Sequence, residues 1–125
     1  MVEDRITDGK RIAELLASEL TARETGPLSH VDVIDADRDA TPSEDGTPAY
    51  GITIDGVDAG TASLFPAYVR VTVSVAPDTV IDAAPTAGIP ARREDGMAVL
   101  QVESGAAVKP AVDVIAAAVS AVDGT

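Results

Sequence analysis

The sequence of 125 residues contains no cysteine, no tryptophan and a single histidine, His30. The absence of cysteine excludes disulfide bonds, thiolate nucleophiles and cysteine-ligated zinc or iron–sulfur sites. Because no Ser–His–Asp arrangement can be inferred around His30, we interpret it as a structural or exposed residue. We expect no metal and no cofactor. We expect residues 1–125 to fold as one domain around a hydrophobic core.

Positive charge is scarce: nine Lys and Arg residues oppose 21 Asp and Glu residues, and the net charge is −12. Since 46% of the residues are hydrophobic, we interpret the chain as a folded protein with an acidic surface rather than a disordered one. In molar salt the Debye length falls to about 3 Å, which screens the repulsion between surface carboxylates. The composition therefore predicts a halophilic protein, and its acidity argues against a nucleic acid as partner.

Long apolar runs are missing as well. The longest unbroken apolar stretch covers residues 114–119, far fewer than the ~20 residues that cross a bilayer. The N-terminal residues lack the basic start and the apolar run of a signal peptide. We therefore expect a cytoplasmic protein that does not associate with membranes.

Hydrophobic periodicity predicts helices near both ends of the chain. Ile12, Leu16 and Leu20 recur at helical spacing after a suitable N-cap residue, Asp8. A C-terminal helix reaches about residue 122, and its start is predicted either at a Ser104 cap or nearer Lys109 and Pro110.

Strands and turns fill the sequence between these helices. Alternation and turn residues predict the following strands: 28–34, 50–55, 61–65, 67–76 and 97–102. Residues 35–48 and 90–96 are predicted as loops, and residues 77–87 as a short helix or turn. This order predicts an α+β domain with a mostly antiparallel sheet of four to five strands, on which an N-terminal and a C-terminal helix pack.

Two stretches of the sequence resemble a known family. They read PAYGITIDGVDAGTASLFPAYVRVTVSVAP and VESGAAVKPAVDVIAAAV. They are similar to a small conserved family of haloarchaeal proteins without an assigned function. The resemblance implies a halophilic origin and assigns no functional residue.

The acidic loop contains Asp35, Asp37 and Asp39 at alternate positions, like the start of a calcium loop. An EF-hand also requires glycine at the sixth position and glutamate at the twelfth, where this sequence has Ala40 and Gly46. We therefore interpret the segment as a hydrated acidic loop.

Carboxylates are absent from residues 59–77 and 83–93. One interpretation is that the polar face of the strand at 67–76 is covered by a helix or by another subunit. The alternative is that this face recognises an anionic ligand, because arginine offers a planar fork of donors to carboxylate or phosphate groups. The candidate ligand-binding residues are Arg70, Arg92, Arg93, Lys109 and Tyr68. An internal ion pair with Glu103 or Asp113 would instead make Arg70 structural.

The C-terminal helix is apolar around most of its circumference, which is typical of a helix buried on more than one side. We therefore expect self-association through Ile115, Val119 and Val122. The leading functional hypothesis is a non-enzymatic, dimeric interaction or small-anion-binding module. The alternative is an enzyme that acts on an anionic metabolite, with Arg70, Arg92 and Lys109 as substrate-binding residues.

Overall fold

The computed structural model of the protein describes residues 8–22 and 27–123, in which six strands form one antiparallel sheet and three α-helices cover one of its faces. The elements are α1 (Gly9–Thr21), β1 (Val31–Ile34), β2 (Thr47–Ile54), β3 (Val57–Leu64), β4 (Val69–Val73), α2 (Pro77–Ala87), β5 (Ala91–Glu94), β6 (Met97–Val102) and α3 (Val108–Asp123). Two short 3₁₀ turns, Pro27–His30 and Gly105–Ala107, precede β1 and α3.

The strands lie in the order β1-β2-β3-β4-β6-β5. Two tight hairpins connect β2 to β3 and β5 to β6. Each hairpin turn is an Asp-Gly pair with positive φ at both residues: 52° and 80° at Asp55 and Gly56, and 52° and 79° at Asp95 and Gly96. These are the angles of a type I′ turn, whose twist matches that of the flanking strands.

The sheet has six strands rather than the four to five that we predicted from the sequence. The additional strand is β5, Ala91–Glu94, which lies within the segment predicted as a loop. All four of its residues are exposed, so the alternation of buried and exposed side chains that marks a half-buried strand is absent. Arg92 and Arg93 suit an edge strand, because charged side chains discourage pairing with another chain.

The other four strands overlap the predicted ones with different bounds: β1 begins three residues later, β2 and β3 begin three and four residues earlier, and β4 has five residues where ten were predicted. The bounds of α2 and β6 are those predicted, and the Asp8 side chain caps α1 by accepting a hydrogen bond from the Lys10 N–H. Each of the two predicted starts of the C-terminal helix corresponds to a feature of the structure. Ser104 caps the 3₁₀ turn by accepting a hydrogen bond from the Ala107 N–H, and α3 then begins at Val108.

The hydrophobic core lies between the sheet and its helical layer. On the sheet side it contains Val69, Val71 and Val73 of β4, whose side chains alternate with the half-buried Arg70 and Thr72. The helices contribute fully or almost fully buried side chains, including Ile12, Leu16 and Leu20 of α1 and Val112, Ile115 and Val119 of α3.

One segment, Gly105–Val122, is long and apolar enough to cross a membrane by length and composition, with a mean hydropathy of 1.6. Its composition has another cause in this fold. Ala111, Val112, Ala118 and Val119 are at most 1% exposed and belong to the core, so the helix is apolar where it packs against the rest of the chain.

Candidate functional site

The sheet face opposite the helices, here called the open face, has no described helix covering it. The strand register aligns one row of its residues across all six strands: Ile34, Gly51, Thr61, Thr72, Val99 and Arg92. A second row on the three middle strands contains Ser63, Arg70 and Gln101. No helix in the described part of the chain therefore covers the polar side of β4. Cover by a helix or by another subunit was one of the two interpretations of its missing carboxylates.

Charge is unevenly distributed over the open face. Neither of these two rows contains a carboxylate. On the three middle strands, Arg70 is the only charged residue in the two rows. Carboxylates lie outside these rows, at Asp32 in β1, at Asp58 near the start of β3 and at Glu94 in β5. In a chain with a net charge of −12, the middle of this face is an unusually uncharged surface.

Arg70 lies against an aromatic pair rather than a carboxylate. Its guanidinium carbon is 4.5 Å from the centroid of the Phe65 ring, and Phe65 stacks on Tyr68 with ring centroids 4.6 Å apart. Such a cation–π contact is typically worth ~0.5–2 kcal/mol. Among the described residues no carboxylate pairs with Arg70. Glu103, one of its two expected partners, instead accepts a hydrogen bond of 2.8 Å from the Gln101 amide.

The two adjacent arginines of β5 both bind carboxylates of this chain. Two nitrogens of Arg92 donate to the same Glu94 oxygen, at 3.1 and 2.9 Å. Arg93 forms an ion pair with Asp78 in the first turn of α2. Since successive strand residues point to opposite faces, Arg92 lies on the open face and Arg93 on the helical side.

The five predicted ligand-binding residues are therefore not gathered at one site. Lys109 is exposed at the start of α3, where it lines a groove between α2 and α3 on the helical side. Arg70 and Arg92 share the open face, but their strands are separated by β6 and their register differs by two residues. Strand spacing places their backbones about 12 Å apart. The geometry groups Tyr68 with Arg70 and separates the other three.

His30 forms a pair with Asp55, and Nδ1 lies 2.8 Å from a carboxylate oxygen. Both side chains are about half exposed, and this contact joins the start of β1 to the β2–β3 turn. No group of three or more His, Asp or Glu side chains in the described part of the chain is arranged to hold a metal ion. The Asp37 carboxylate of the acidic loop accepts a hydrogen bond from the Asp39 N–H, a local turn contact.

The three residues expected to mediate self-association differ in exposure. Ile115 is 4% exposed and Val119 is fully buried, and both belong to the core. Val122, in the last turn of α3, is 40% exposed. Intramolecular packing thus accounts for the apolar character of the helix. Self-association itself stays a prediction, and Ile115 and Val119 are not surface contacts in this fold.

A hollow of about 400 Å³ lies between α1 and the loop that follows β1. Its lining consists of apolar side chains, the Tyr50 ring and four charged residues, Lys10, Glu14, Asp37 and Arg38. The Lys10 ammonium donates a 2.7 Å hydrogen bond to the Arg38 carbonyl, which ties the loop to the helix. The sequence did not predict this hollow, because the lining residues come from α1 and from distant segments of the chain that share no motif.

The stacking of Phe65 beneath Arg70 was also missed, although a signal for it existed. The chain has three aromatic residues, and two of them, Phe65 and Tyr68, stand within five positions of Arg70. Their spacing across the β3–β4 connection brings both rings to the side of β4 on which Arg70 lies.

Comparison with known proteins gives one match. The model of a family of unknown function, DUF7993, matches residues 1–125. No curated protein and no solved structure matches the chain. Since the family model covers the whole sequence, the chain belongs to the DUF7993 family.

Proposed function

We propose that this protein is a non-enzymatic interaction module that forms a homodimer through the open face of its sheet. The observation that carries the proposal is an uncovered sheet face with an almost uncharged middle, on a chain with a net charge of −12. Charged residues are depleted at the core of protein interfaces, and antiparallel sheets commonly pack face to face. A second copy brings the same acid-free middle rows, so association through this face places no carboxylate at the centre of the contact.

Light scattering over a range of protein concentrations in 2–3 M KCl tests this proposal. We expect twice the chain mass of 12.7 kDa at high concentration. Thr72→Arg places a charge at the middle of the open face and should yield the monomer. Ser120→Arg adds the same charge on the exposed side of α3 and should leave the dimer intact. A monomer at every concentration of the parent protein would refute the proposal.

A second candidate function is the binding of a small anion in the hollow beside α1. Its volume of about 400 Å³ lies in the range of small-molecule sites, and its wall is mostly apolar. Arg38, which lines the hollow together with Glu14 and Asp37, makes no side-chain hydrogen bond or ion pair with another described residue, so its guanidinium is available to a carboxylate.

Isothermal titration with octanoate tests this second function, because octanoate combines a carboxylate with an apolar chain. We expect binding by the parent protein, a loss of at least tenfold in affinity for Arg38→Ala and little change for Lys109→Ala. Lys109 is an exposed base at the start of α3 that does not line the hollow. Equal binding by both variants, or no binding by the parent protein, would argue against the site.

A further inference from the structure

We infer that the hollow beside α1 binds a zwitterionic α-amino acid with an aliphatic side chain. This inference rests on the second candidate function proposed above, the hollow as a small-molecule site, and names the class of its ligand. The observation behind it is a set of two bases and two acids that line one hollow without neutralising each other: Lys10, Arg38, Glu14 and Asp37.

The four charged side chains have partners other than one another. In the described part of the chain, no ion pair joins any two of them. The Lys10 ammonium donates to the Arg38 carbonyl, and the Asp37 carboxylate accepts from a backbone N–H of its own loop. Glu14 pairs with Arg11 through one carboxylate oxygen, at 3.4 Å between exposed side chains. Charges of both signs around the hollow therefore remain available to a ligand.

Each of two walls contributes one base and one acid. On α1, Lys10 and Glu14 are four residues apart, so they are neighbours on one face of the helix. The loop after β1 contributes the adjacent residues Asp37 and Arg38. The bond from Lys10 to the Arg38 carbonyl brings the start of α1 to this loop, and Glu14 lies one turn further along the helix. An amino acid can then direct its carboxylate towards Arg38 and its ammonium towards Glu14.

The charge balance of the lining favours a zwitterion over a simple anion. Two bases and two acids have a formal net charge of zero, on a chain whose net charge is −12. A simple carboxylate would bring a negative charge close to Glu14 and Asp37, and like charges in apposition weaken binding. An amino acid brings no net charge, and its ammonium gives one of these carboxylates a charge-assisted hydrogen bond.

The floor of the hollow suits an aliphatic side chain. Ala13, Ala49 and Leu64 are at most 6% exposed, and the Tyr50 ring reaches from β2 to α1, where its hydroxyl donates to the Ala13 carbonyl. This bond occupies the hydroxyl, so the ring offers apolar surface. The small side chain of Ala17 leaves space on the α1 wall. A volume of about 400 Å³ is near the lower end for small-molecule sites and suits a single amino acid.

Three matched ligands test the inference by isothermal titration in 2–3 M KCl. Free leucine carries both charges, isocaproate is leucine without its amino group, and isoamylamine is leucine without its carboxylate. We expect leucine to bind at least about fivefold more tightly than either of the others, because only leucine satisfies both a base and an acid of the lining.

Matched variants locate the two halves of the interaction. Glu14→Gln should weaken leucine binding about fivefold and leave isocaproate binding equal or tighter, because a negative charge is lost from the lining. Glu19→Gln makes the same change on α1 outside the hollow and should leave both affinities within about twofold. Ala17→Leu fills the hollow without altering a charge, and we expect it to weaken leucine binding roughly tenfold while circular dichroism stays that of the parent protein.

The outcomes separate this inference from the proposed anion site. If isocaproate or octanoate binds as tightly as leucine, or isoamylamine does, the ligand is not recognised as a zwitterion and the inference is overturned. Binding of octanoate that depends on Arg38 would in that case leave the anion site standing. Equal effects of Glu14→Gln and Glu19→Gln on leucine would also overturn the inference, since the ammonium would then have no partner at Glu14. Failure of leucine, isocaproate and octanoate alike to bind would refute the hollow as a binding site, and the inference with it.

Discussion

Two glycines on paired strands differ in what a side chain at their position would meet. A Cβ atom on Gly60 of β3 would lie 2.3 Å from the Thr72 carbonyl oxygen of β4, an impossible contact with backbone. A Cβ atom on Gly51 of β2 would lie 3.1 Å from the Ile34 side chain, which is 37% exposed and can move. The requirement for glycine is therefore strict at Gly60 and weak at Gly51.

We accordingly predict that Gly60→Ala lowers the free energy of unfolding by about 1–3 kcal/mol, because the sheet has to shift to relieve the clash. Gly51→Ala serves as the matched control and should remain within about 0.5 kcal/mol of the parent protein. Urea denaturation in constant high KCl measures both values. Equal costs for the two substitutions would show that the close approach of β3 to β4 is not the cause.

Tyr50 provides a residue-scale prediction of pH dependence. Its side chain is buried, and its hydroxyl donates a 2.8 Å hydrogen bond to the Ala13 carbonyl of α1. Burial raises the pKa of Tyr50 well above its ordinary value of 10. Above pH 10 the unfolded chain therefore releases a proton that the folded chain retains. The free energy of unfolding should then fall by about 1.4 kcal/mol per pH unit from this residue, until the pH reaches the folded pKa.

Comparison of the parent protein with Tyr50→Phe isolates this effect, since other groups titrate alike in both. At neutral pH the variant should be less stable by about 1 kcal/mol, because the hydrogen bond is lost. Above pH 10 the difference should shrink and then reverse. Parallel stability curves up to pH 11.5 would mean that the hydroxyl ionises as readily in the folded protein as in the unfolded chain.

The environment of Arg70 shows how far single residues could be predicted. Alternation along β4 correctly placed Arg70 and Thr72 opposite the buried valines, because the two-residue period of a strand is a local property. The stacking of Arg70 on Phe65 depends on the path of the β3–β4 connection, and hydrophobic periodicity in the sequence does not describe that path. The same reason explains why Arg92 and Arg93, adjacent in sequence, do not act together.

At the scale of elements, those with a strong local signal were predicted best. Helix α2 begins at Pro77 and ends before Gly88, and both residues are common at these positions. Strand β6 is apolar except for Gln101, and its residues are buried or half-buried. Strand β5 was not predicted, because its charged, exposed residues show no alternation of apolar and polar side chains. The Asp95-Gly96 turn that joins it to β6 is nevertheless a hairpin signal.

Helix α3 gives the prediction at this scale, that it is a core helix of each chain. Val119→Ala should lower the free energy of unfolding by about 2–3 kcal/mol, because the side chain is fully buried and the substitution leaves a cavity. Val122→Ala removes the same atoms from a residue that is 40% exposed and should cost less than about 0.5 kcal/mol. Both are measured by urea denaturation at several protein concentrations.

The concentration series decides between the two roles of α3. If Val119 packs within its own chain, the destabilisation by Val119→Ala is the same at low and high protein concentration. A loss that appears only as dissociation of an otherwise stable dimer would place Val119 in an interface, as the sequence first suggested.

On the scale of the whole molecule, the negative charge has few internal partners. Among the described residues, lysine and arginine form ion pairs with Glu14, Asp78 and Glu94 only. The acidic loop between β1 and β2 holds several exposed carboxylates, among them Asp39, Glu44 and Asp45, and none of these three is in an ion pair. Most of the net charge therefore acts as repulsion between exposed groups, which salt screens.

This distribution predicts that folding depends on salt concentration. The melting temperature of the parent protein, followed by circular dichroism, should rise from 0.2 M to 3 M KCl. The triple variant Asp39→Asn, Glu44→Gln, Asp45→Asn lowers the net charge from −12 to about −9 and should need less KCl for the same stability. Salt can also strengthen hydrophobic burial, but that effect would be equal in both proteins. Equal KCl dependence would therefore assign the rise to burial, and a melting temperature independent of KCl would refute the predicted halophilic character.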